Sequence, residues 1–307
     1  MKFTIHQGSR QGPRPYNQDR LAYSYSKDAL LIVLADGMGG HRHGEVAAQL
    51  AVKTLTDAFQ EEAQPTLKNP AGFLKHAIQY VHDAIGALTI VQDMLEAPRT
   101  TVVAAIIQDN RLYCAHVGDS RLYHFRSGKL LYKTEDHSVV QMLYKRGQLD
   151  KAAMLTHPNR HKIYNCLGGD KQPQIEQAQT DNLLEGDTLL LCSDGLWSVL
   201  SDAEIADMLH GGIVTETVSA LLDEAELRSQ TEGDNMSAIG LQWGDPHHHL
   251  LAVSTITMPL SATTTIMNPL THQLAQGEGG ETTDLTDDEI ENAIAEIQAA
   301  LKKSDRN

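Results

Sequence analysis

The segment VLADGMGGHRHGEVAA, residues 33–48, decides the fold of this 307-residue chain. It joins residues 30–35, which have the continuous hydrophobicity of a buried strand, to a run of small residues over 45–59 that predicts a helix. Asp36 stands directly after the strand and opens a turn rich in glycine. A carboxylate in that position is poorly placed for a mere hairpin turn and well placed to act as a ligand.

Outward from this segment, strand-like and helix-like stretches alternate through residues 1–244 with few gaps that could serve as a linker, which predicts one domain. The strand-like runs within residues 100–132 are separated by Asp-Asn, Gly-Asp-Ser and Ser-Gly, which are turn residues of an antiparallel meander. Ser201 and Glu204 form the capping box of a later helix. Strand runs that bracket helical pairs predict an α+β sandwich with helices covering its outside.

Composition excludes several classes of function. The formal charge of −15 argues against nucleic acid or an anionic membrane as a partner, since binding phosphate backbones requires clustered Lys and Arg. The longest apolar runs are strand-length, and the first residues lack the basic start and apolar stretch of a signal peptide, so we expect a cytoplasmic protein. Cys114, Cys166 and Cys192 form no CxxC pair and are interpreted as small buried hydrophobic residues.

Five aspartates stand beside glycine, asparagine or serine at the ends of strand-like segments, where a scaffold can present short carboxylates to a common point. They are Asp19, Asp36, Asp119, Asp194 and Asp234. Each one alone is also explained as a turn former, because Asp bonds its own backbone and glycine takes positive φ. Their joint order and spacing favour a cation site, and oxygen ligands without accompanying His or Cys pairs favour Mg²⁺ or Mn²⁺ over zinc.

Five motifs follow one another along the chain: RPYNQD at 14–19, VLADGMGGHRHGEVAA at 33–48, HVGDSRLY at 116–123, LLCSDGLW at 190–197 and GDNMSAI at 233–239. Together they resemble the PPM metal-dependent phosphatases, also called the protein phosphatase type 2C family, in their compact bacterial form. The resemblance covers residues 2–243. It implies a four-layer α-β-β-α sandwich with two central antiparallel sheets, and the activity of a protein serine/threonine phosphatase.

Position by position, the resemblance assigns the metal ligands. It makes Asp36 the carboxylate that bridges two metals, with the Gly37 carbonyl as a further ligand of one of them. Asp194 and Asp234 would complete the first metal site. Asp19 would hold the second metal largely through water.

Two further roles follow from the same resemblance. Asp119 together with Asp194 is similar to the third-metal site of bacterial members, so two or three Mn²⁺ or Mg²⁺ ions are expected. Arg14, five residues before Asp19, matches the arginine that binds the substrate phosphate in a forked geometry. Two cations that share a water lower its pKa and produce a metal-bridging hydroxide, which attacks phosphorus in line.

His41 is the candidate proton donor, because it lies just past the Gly39-Gly40 turn where the backbone must pass close to the metals. A solvated loop histidine is the alternative interpretation. Animal members have a histidine where Met38 stands, whereas the position of His41 matches the bacterial version. Gln18 stands where many relatives have an acid, which leaves a contact near the metals open.

Two other classes of function compete with this interpretation. A catalytically inactive phosphatase-fold binding module is expected to lose a ligand or the phosphate arginine, yet Arg14, Asp36, Asp194 and Asp234 are all present. Another two-metal hydrolase, such as a nuclease, is disfavoured by the acidic composition. We expect a monomer whose partners are phosphorylated proteins, and a cognate Ser/Thr kinase or its substrates, with no nucleic acid and no membrane.

The sequence divides into a phosphatase domain over 1–244, a flexible linker over 245–283 and an amphipathic helix over 284–303. Inside the domain, residues 138–169 resemble the family's mobile flap, and Asp136 and His137 are interpreted as its structural anchors.

The C-terminal region lies outside the resemblance. Residues 254–260 are echoed ten residues later at 264–270, and residues 250–277 have no charged side chain. Thr286 and Glu289 form a capping box, after which apolar residues recur on one helical face. Three alternatives stay open: a disordered low-complexity end, a helix that packs on its own domain, or a helix that docks a partner such as a kinase.

Overall fold

The computed structural model describes residues 1–38, 43–92, 94–154, 156–180, 182–229, 233–245 and 252–267, which form thirteen strands and seven helices. In chain order these are β1 Lys2–Arg10, β2 Asp19–Tyr25, β3 Ala29–Met38, α1 Gly44–Glu62, α2 Pro70–Val91, β4 Arg99–Thr100, β5 Val102–Gln108, β6 Arg111–Val117, β7 Arg121–Arg126, β8 Lys129–Lys133, α3 Val139–Lys145, α4 Lys151–Met154, β9 Glu176–Thr180, β10 Thr188–Cys192, α5 Asp194–Trp197, α6 Asp202–Leu209, α7 Val214–Ser229, β11 Met236–Trp243, β12 Val253–Ser254 and β13 Thr264–Met267.

The strands form two antiparallel sheets that pack face to face. One sheet has the order β12-β1-β11-β10-β7-β8, and the other has the order β13-β2-β3-β5-β6-β9, with β4 paired beside β3. One apolar cluster lies between the sheets, a second lies under α1 and α2, and a third lies under α6 and α7. The predicted four-layer α-β-β-α sandwich is confirmed.

Strand β3 is buried on both faces. Leu30, Ile32 and Leu34 belong to the cluster between the sheets, whereas Leu31 and Val33 pack beneath the helices on the other side. A strand covered on both faces needs apolar residues at every position, which explains its continuous rather than alternating hydrophobicity. Asp36 follows the apolar run within β3 and is therefore held at a fixed place at one end of the sandwich.

Side-chain caps fix the starts of two helices. The Asn69 side chain accepts a hydrogen bond from the backbone N–H of Gly72 at 3.0 Å, at the start of α2. The predicted capping box of α6 is present: Ser201 Oγ accepts from the N–H of Glu204 at 3.3 Å, and the Glu204 carboxylate accepts from the N–H of Ser201 at 2.8 Å. Both helices thus begin where the local sequence supplies a polar acceptor.

Two expectations from composition concern cysteines and membranes. All three cysteines are free; Cys114 and Cys192 are buried in strands, and Cys166 is partly buried. Within the described ranges, every helix is too short or too polar to cross a bilayer.

The C-terminal region differs from the flexible linker predicted for 245–283. In the described residues 252–267, β12 extends one sheet beside β1 and β13 extends the other beside β2. Thr255 is fully buried. Its Oγ1 accepts a hydrogen bond from the Met1 ammonium at 2.8 Å and donates one to the Lys27 carbonyl at 2.6 Å. An uncharged, threonine-rich segment can add to a sheet edge because the edge strand supplies its hydrogen-bond partners. The amphipathic helix predicted over 284–303 lies outside the described residues.

Truncation after Gly244 is expected to lower the melting temperature, because it removes both edge strands and the bonds of Thr255. Two lost buried hydrogen bonds correspond to at least about 2 kcal/mol of unfolding free energy, or about 4–8 °C in a domain of this size. The matched control is a chain ending at Met267, which keeps both strands. Equal melting temperatures for the two shortened chains would show that the strands contribute nothing.

Candidate functional site

The paired ends of β2 and β3 hold two of the five aspartates. Asp19 and Asp36 stand opposite each other in the antiparallel register. The N–H of Gly37 donates to the Gln18 carbonyl at 3.2 Å, and a Cβ at Gly37 would lie 2.2 Å from the carbonyl oxygen of Gly44. Only glycine allows this close approach, so the start of α1 packs directly against the end of β3, beside Asp36.

Asp194 reaches the same place from the other sheet. It begins α5 directly after β10, and a Cβ at Gly195 would lie 2.1 Å from the Asn235 carbonyl oxygen. Ser193 is fully buried and donates its hydroxyl to Asp19 Oδ2 at 2.7 Å. This hydrogen bond joins the two sheets at the end where the aspartates meet.

Asp119 lies in the turn between β6 and β7 and is tied to the short helix that begins at Asp194. The indole N–H of Trp197 donates to the Asp119 carbonyl at 3.0 Å. The guanidinium of Arg121 stacks 3.5 Å above the Trp197 ring and binds Asp136 through two hydrogen bonds of 2.8 and 2.7 Å. This stack fixes the backbone of the turn relative to α5.

The five aspartates repel one another. Burial raises the pKa of Asp36 well above its ordinary value, and the charges of Asp19, Asp194, Asp119 and Asp234 raise it further. The pKa of Asp194 is raised well above its ordinary value in the same way, first by burial and then by its acidic neighbours. Burial is also the main reason that the pKa of Asp19 rises to about 6 and that of Asp119 to about 7. The site is therefore short of positive charge.

Two oxygens in this cluster are buried without a hydrogen-bond partner among the described residues: Oδ1 of Asp19 and Oδ1 of Asp194. A buried carboxylate oxygen without a donor or counter-ion is costly. A set of carboxylate and carbonyl oxygens is the ligand set that Mg²⁺ and Mn²⁺ prefer. The residues present therefore fit divalent cations.

Arg14 lies at the exposed mouth of the cluster. Its Nη2 donates to Asp234 Oδ2 at 2.8 Å, and the two side chains are 54% and 41% exposed. The guanidinium thus reaches both the aspartates and solvent. His41 falls within residues 39–42, which lie outside the described part of the chain.

Residues 9–231 match the sequence model of the family described as Protein phosphatase 2C, which is well over half of the chain. The chain belongs to the protein phosphatase 2C family. Its relatives include the Serine/threonine phosphatase stp of Listeria monocytogenes, which is 35% identical over 198 residues that cover 64% of this chain and 78% of the relative. The Serine/threonine protein phosphatase PstP of Mycobacterium tuberculosis is 36% identical over 198 residues, which cover 64% of this chain and 37% of PstP.

Solved structures show the same fold. The S. agalactiae serine/threonine phosphatase superposes with a TM-score of 0.71 at 31% identity, covering 78% of this chain and 99% of that one. The catalytic domain of PstP in complex with two manganese ions superposes with a TM-score of 0.66 at 32% identity, covering 78% of this chain and 98% of that one. A protein phosphatase 2C domain therefore accounts for most of the chain, and the C-terminal region follows it.

In this protein phosphatase 2C domain, Asn235 organises the loop that carries Arg14, a role that the motif alone did not reveal. Its side chain accepts from the N–H of Gln18 at 2.9 Å and donates to the carbonyls of Gln11 and Tyr16 at 2.8 and 2.9 Å. Its place next to Asp234 in the motif GDNMSAI was the only available signal. The contact left open at Gln18 is a hydrogen bond of 3.0 Å from its amide to Glu45 Oε2.

The flap is rooted beside Asp119. His137 donates its N–H to the Gly118 carbonyl at 3.0 Å and accepts the Gly118 N–H on Nδ1 at 3.1 Å. On the far side of the flap, Tyr164 donates its N–H to the His137 carbonyl at 2.9 Å. The two ends of the flap therefore meet at His137.

A second group of potential ligands, outside the aspartates, does not suit a metal. His116, His137 and Glu176 bring ligand atoms within 4.8 Å of one another. However, Nδ1 of His137 accepts a backbone N–H, so its neutral ring carries the proton on Nε2, which faces Glu176 at 3.3 Å. A protonated nitrogen has no lone pair for a metal. This group is best described as a hydrogen-bonded support for the flap.

Proposed function

We propose that this chain hydrolyses phosphoserine and phosphothreonine in other proteins. The observation that carries the proposal is the cluster of five aspartates, with two buried carboxylate oxygens that have no hydrogen-bond partner among the described residues, beside the exposed guanidinium of Arg14. Cations in the cluster and the arginine at its mouth together provide the positive charge that a phosphate dianion requires. The names of the Listeria and mycobacterial relatives support this substrate class.

The proposed ligands are the residues that meet at the end of the sandwich. Asp36, the Gly37 carbonyl, Asp194 and Asp234 would hold one cation, and Asp36 would share a second with Asp19. Asp119 with Asp194 would hold a third. Divalent cations bound there would lower the pKa of a shared water, supplying hydroxide as the nucleophile for in-line attack on phosphorus. The manganese complex of the PstP catalytic domain supports two of these sites, and the ligand types suit Mg²⁺ and Mn²⁺ alike.

The chain's own residues orient the substrate. Arg14 uses one nitrogen on Asp234, which leaves its other N–H groups free to bind two phosphate oxygens. Asn235 holds the backbone of the same loop through Gln11 and Tyr16, so the guanidinium is presented from a fixed base. A phosphate bound by Arg14 would thereby lie beside the aspartate cluster.

The proposal is tested by incubating the chain with a phosphothreonine peptide and, separately, with single- and double-stranded DNA, each with and without Mn²⁺. We expect metal-dependent release of phosphate from the peptide and no cleavage of DNA. Cleavage of DNA would favour a nuclease instead. Inertness toward both substrates, with retained binding of the phosphopeptide, would favour a catalytically inactive binding module.

We assign His41 as the proton donor to the leaving alkoxide. Replacing it by Ala is expected to slow hydrolysis of phosphothreonine by about 100-fold but of an aryl phosphate only slightly, because a good leaving group needs no proton. The measurement is kcat for both substrates with saturating Mn²⁺. The matched control is His43→Ala, two residues along the chain. Equal slowing of both substrates by His41→Ala would show that His41 only positions the loop.

A further inference from the structure

The flap is a basic stretch in an acidic chain. Residues 138–169 carry five Lys or Arg and one Asp, a net charge of +4, whereas the whole chain carries −15. Lys145 is paired with Glu135. The four other cations are exposed and form no ion pair with the described residues. These four, called the flap cation face below, are Arg146, Lys151, Arg160 and Lys162.

The flap cation face borders the catalytic mouth. His137, which precedes the flap, is hydrogen-bonded to Gly118, next to Asp119. Within the flap, the N–H of Val139 donates to the carbonyl of Lys162 at 2.8 Å. Burial and the charge of Arg160 lower the pKa of His161, whereas the charge of Asp234 raises it. The charge of Asp234 therefore acts on His161, the residue between Arg160 and Lys162.

Strand β13 directs the chain toward the same end of the sandwich. It runs antiparallel to β2, with Thr264 opposite Tyr25 and Met267 opposite Ala22, so it advances toward the end of β2 that holds Asp19. Forty residues follow Met267. The ten residues 268–277 that come first can span up to about 36 Å when extended.

The next part of the chain is complementary in charge to the flap. Residues 278–301, called the acidic C-terminal segment below, contain eight Asp or Glu and no Lys or Arg. The first 244 residues are acidic overall, whereas the flap cation face has the opposite sign to this segment and attracts it. The charge of the acidic C-terminal segment, the length of chain before it and the direction of β13 all favour the flap cation face as its docking surface.

We propose that the acidic C-terminal segment binds in cis to the flap cation face, beside the catalytic mouth. The bound segment competes with the acidic flanks of phosphoprotein substrates for the same cations. The docking itself does not depend on catalysis, whereas its effect on substrates rests on the function proposed above. Of the three interpretations of the C-terminal region, the inference selects contact with the chain's own domain.

Docking is tested in the full chain with a water-soluble carbodiimide, which joins a lysine amine to a carboxylate in contact with it. Mass spectrometry of the monomer band is expected to show Lys151 or Lys162 joined to residues 278–301, and to show loss of these links at about 0.5 M salt, where exposed charges are screened. Lys129, on β8, serves as an internal control and is expected to stay unlinked to the segment. Links found only in a dimer band, or none to the flap, would overturn the proposal.

Charge-neutralised variants of the full chain connect docking to activity. The segment variant, Asp287→Asn, Asp288→Asn and Glu289→Gln, is expected to lower the flap links by at least about fivefold and the KM for an acidic phosphopeptide by about threefold, with kcat unchanged. The control variant removes the same charge at exposed positions elsewhere: Asp109→Asn, Asp207→Asn and Glu216→Gln.

The flap links test the docking of the segment, and phosphopeptide hydrolysis tests the proposed function. A chain that shows the flap links but hydrolyses no phosphopeptide refutes the function and leaves the docking standing. A chain that hydrolyses phosphopeptide without flap links refutes the docking alone. An equal fall of KM in the segment and control variants also refutes it, because the effect then follows from net charge.

Discussion

Asp194→Asn is expected to abolish phosphopeptide hydrolysis while the fold survives. The residue is half-buried, its buried Oδ1 has no hydrogen-bond partner among the described residues, and three acidic neighbours raise its pKa further. An amide has the same shape but is a far weaker cation ligand, and loss of a ligand costs at least about tenfold in activity or affinity. The measurement is phosphate release from a phosphothreonine peptide in excess Mn²⁺.

In the metal-free protein, the same substitution is expected to increase stability. Replacing the carboxylate by an amide removes the repulsion between Asp194 and the charges of Asp119, Asp234 and Asp19, so the melting temperature without metal is expected to rise. Asp207→Asn, on an exposed position of α6, is the control and should change neither quantity. An Asp194→Asn chain that keeps more than about a tenth of the wild-type rate would contradict the ligand assignment.

Gly37→Ala is expected to impair both stability and activity. A methyl group there would lie 2.2 Å from the Gly44 carbonyl oxygen and 2.9 Å from that of Gln18, and backbone atoms cannot move aside as a flexible side chain can. The start of α1 must shift, at a cost of at least about 2 kcal/mol. Because Asp36 is the preceding residue, displacement of its carboxylate by about 1 Å would slow turnover by about 100-fold.

Gly86→Ala provides the matched control for Gly37→Ala. Gly86 lies within α2, and a Cβ there would meet nothing within 4 Å. Alanine is favoured over glycine inside a helix, so this chain is expected to be more stable by up to about 1 kcal/mol. The measurements are the melting temperature and the rate of phosphopeptide hydrolysis of both variants. A Gly37→Ala chain that melts at or above wild type would contradict the close approach of β3 and α1.

The sequence predicted the layers of the fold and singled out the aspartates of the candidate site, whose roles as ligands stay a prediction, because the information for both is local. The apolar run of β3 reports burial on both faces, and Asp36 follows it without a gap. Asp194 follows β10 after one residue, Ser193. Asp19 begins β2 and Asp234 precedes β11, so the sandwich brings strand starts and strand ends to one edge, where the charges of these aspartates act on Asp36.

What the sequence did not predict depends on tertiary contacts. The three hydrogen bonds of Asn235 join parts of the chain more than two hundred residues apart, and no local pattern specifies them. The residues of β12 and β13 look like linker because they are threonine-rich and contain no alternating pattern long enough to identify a strand. Their pairing is decided by the free edges of β1 and β2, which the sequence of the segment itself does not contain.

Those two short strands also bear on self-association. An unpaired edge strand presents a row of N–H and C=O groups that can template pairing with a second molecule, and proteins avoid this by covering their edges. Strands β12 and β13 each cover one edge, one on each sheet. The segment that completes the domain therefore also shields Lys2 and Phe3 of β1 and the second half of β2 from intermolecular strand addition. Its removal would reduce the solubility of the concentrated protein as well as its resistance to heat.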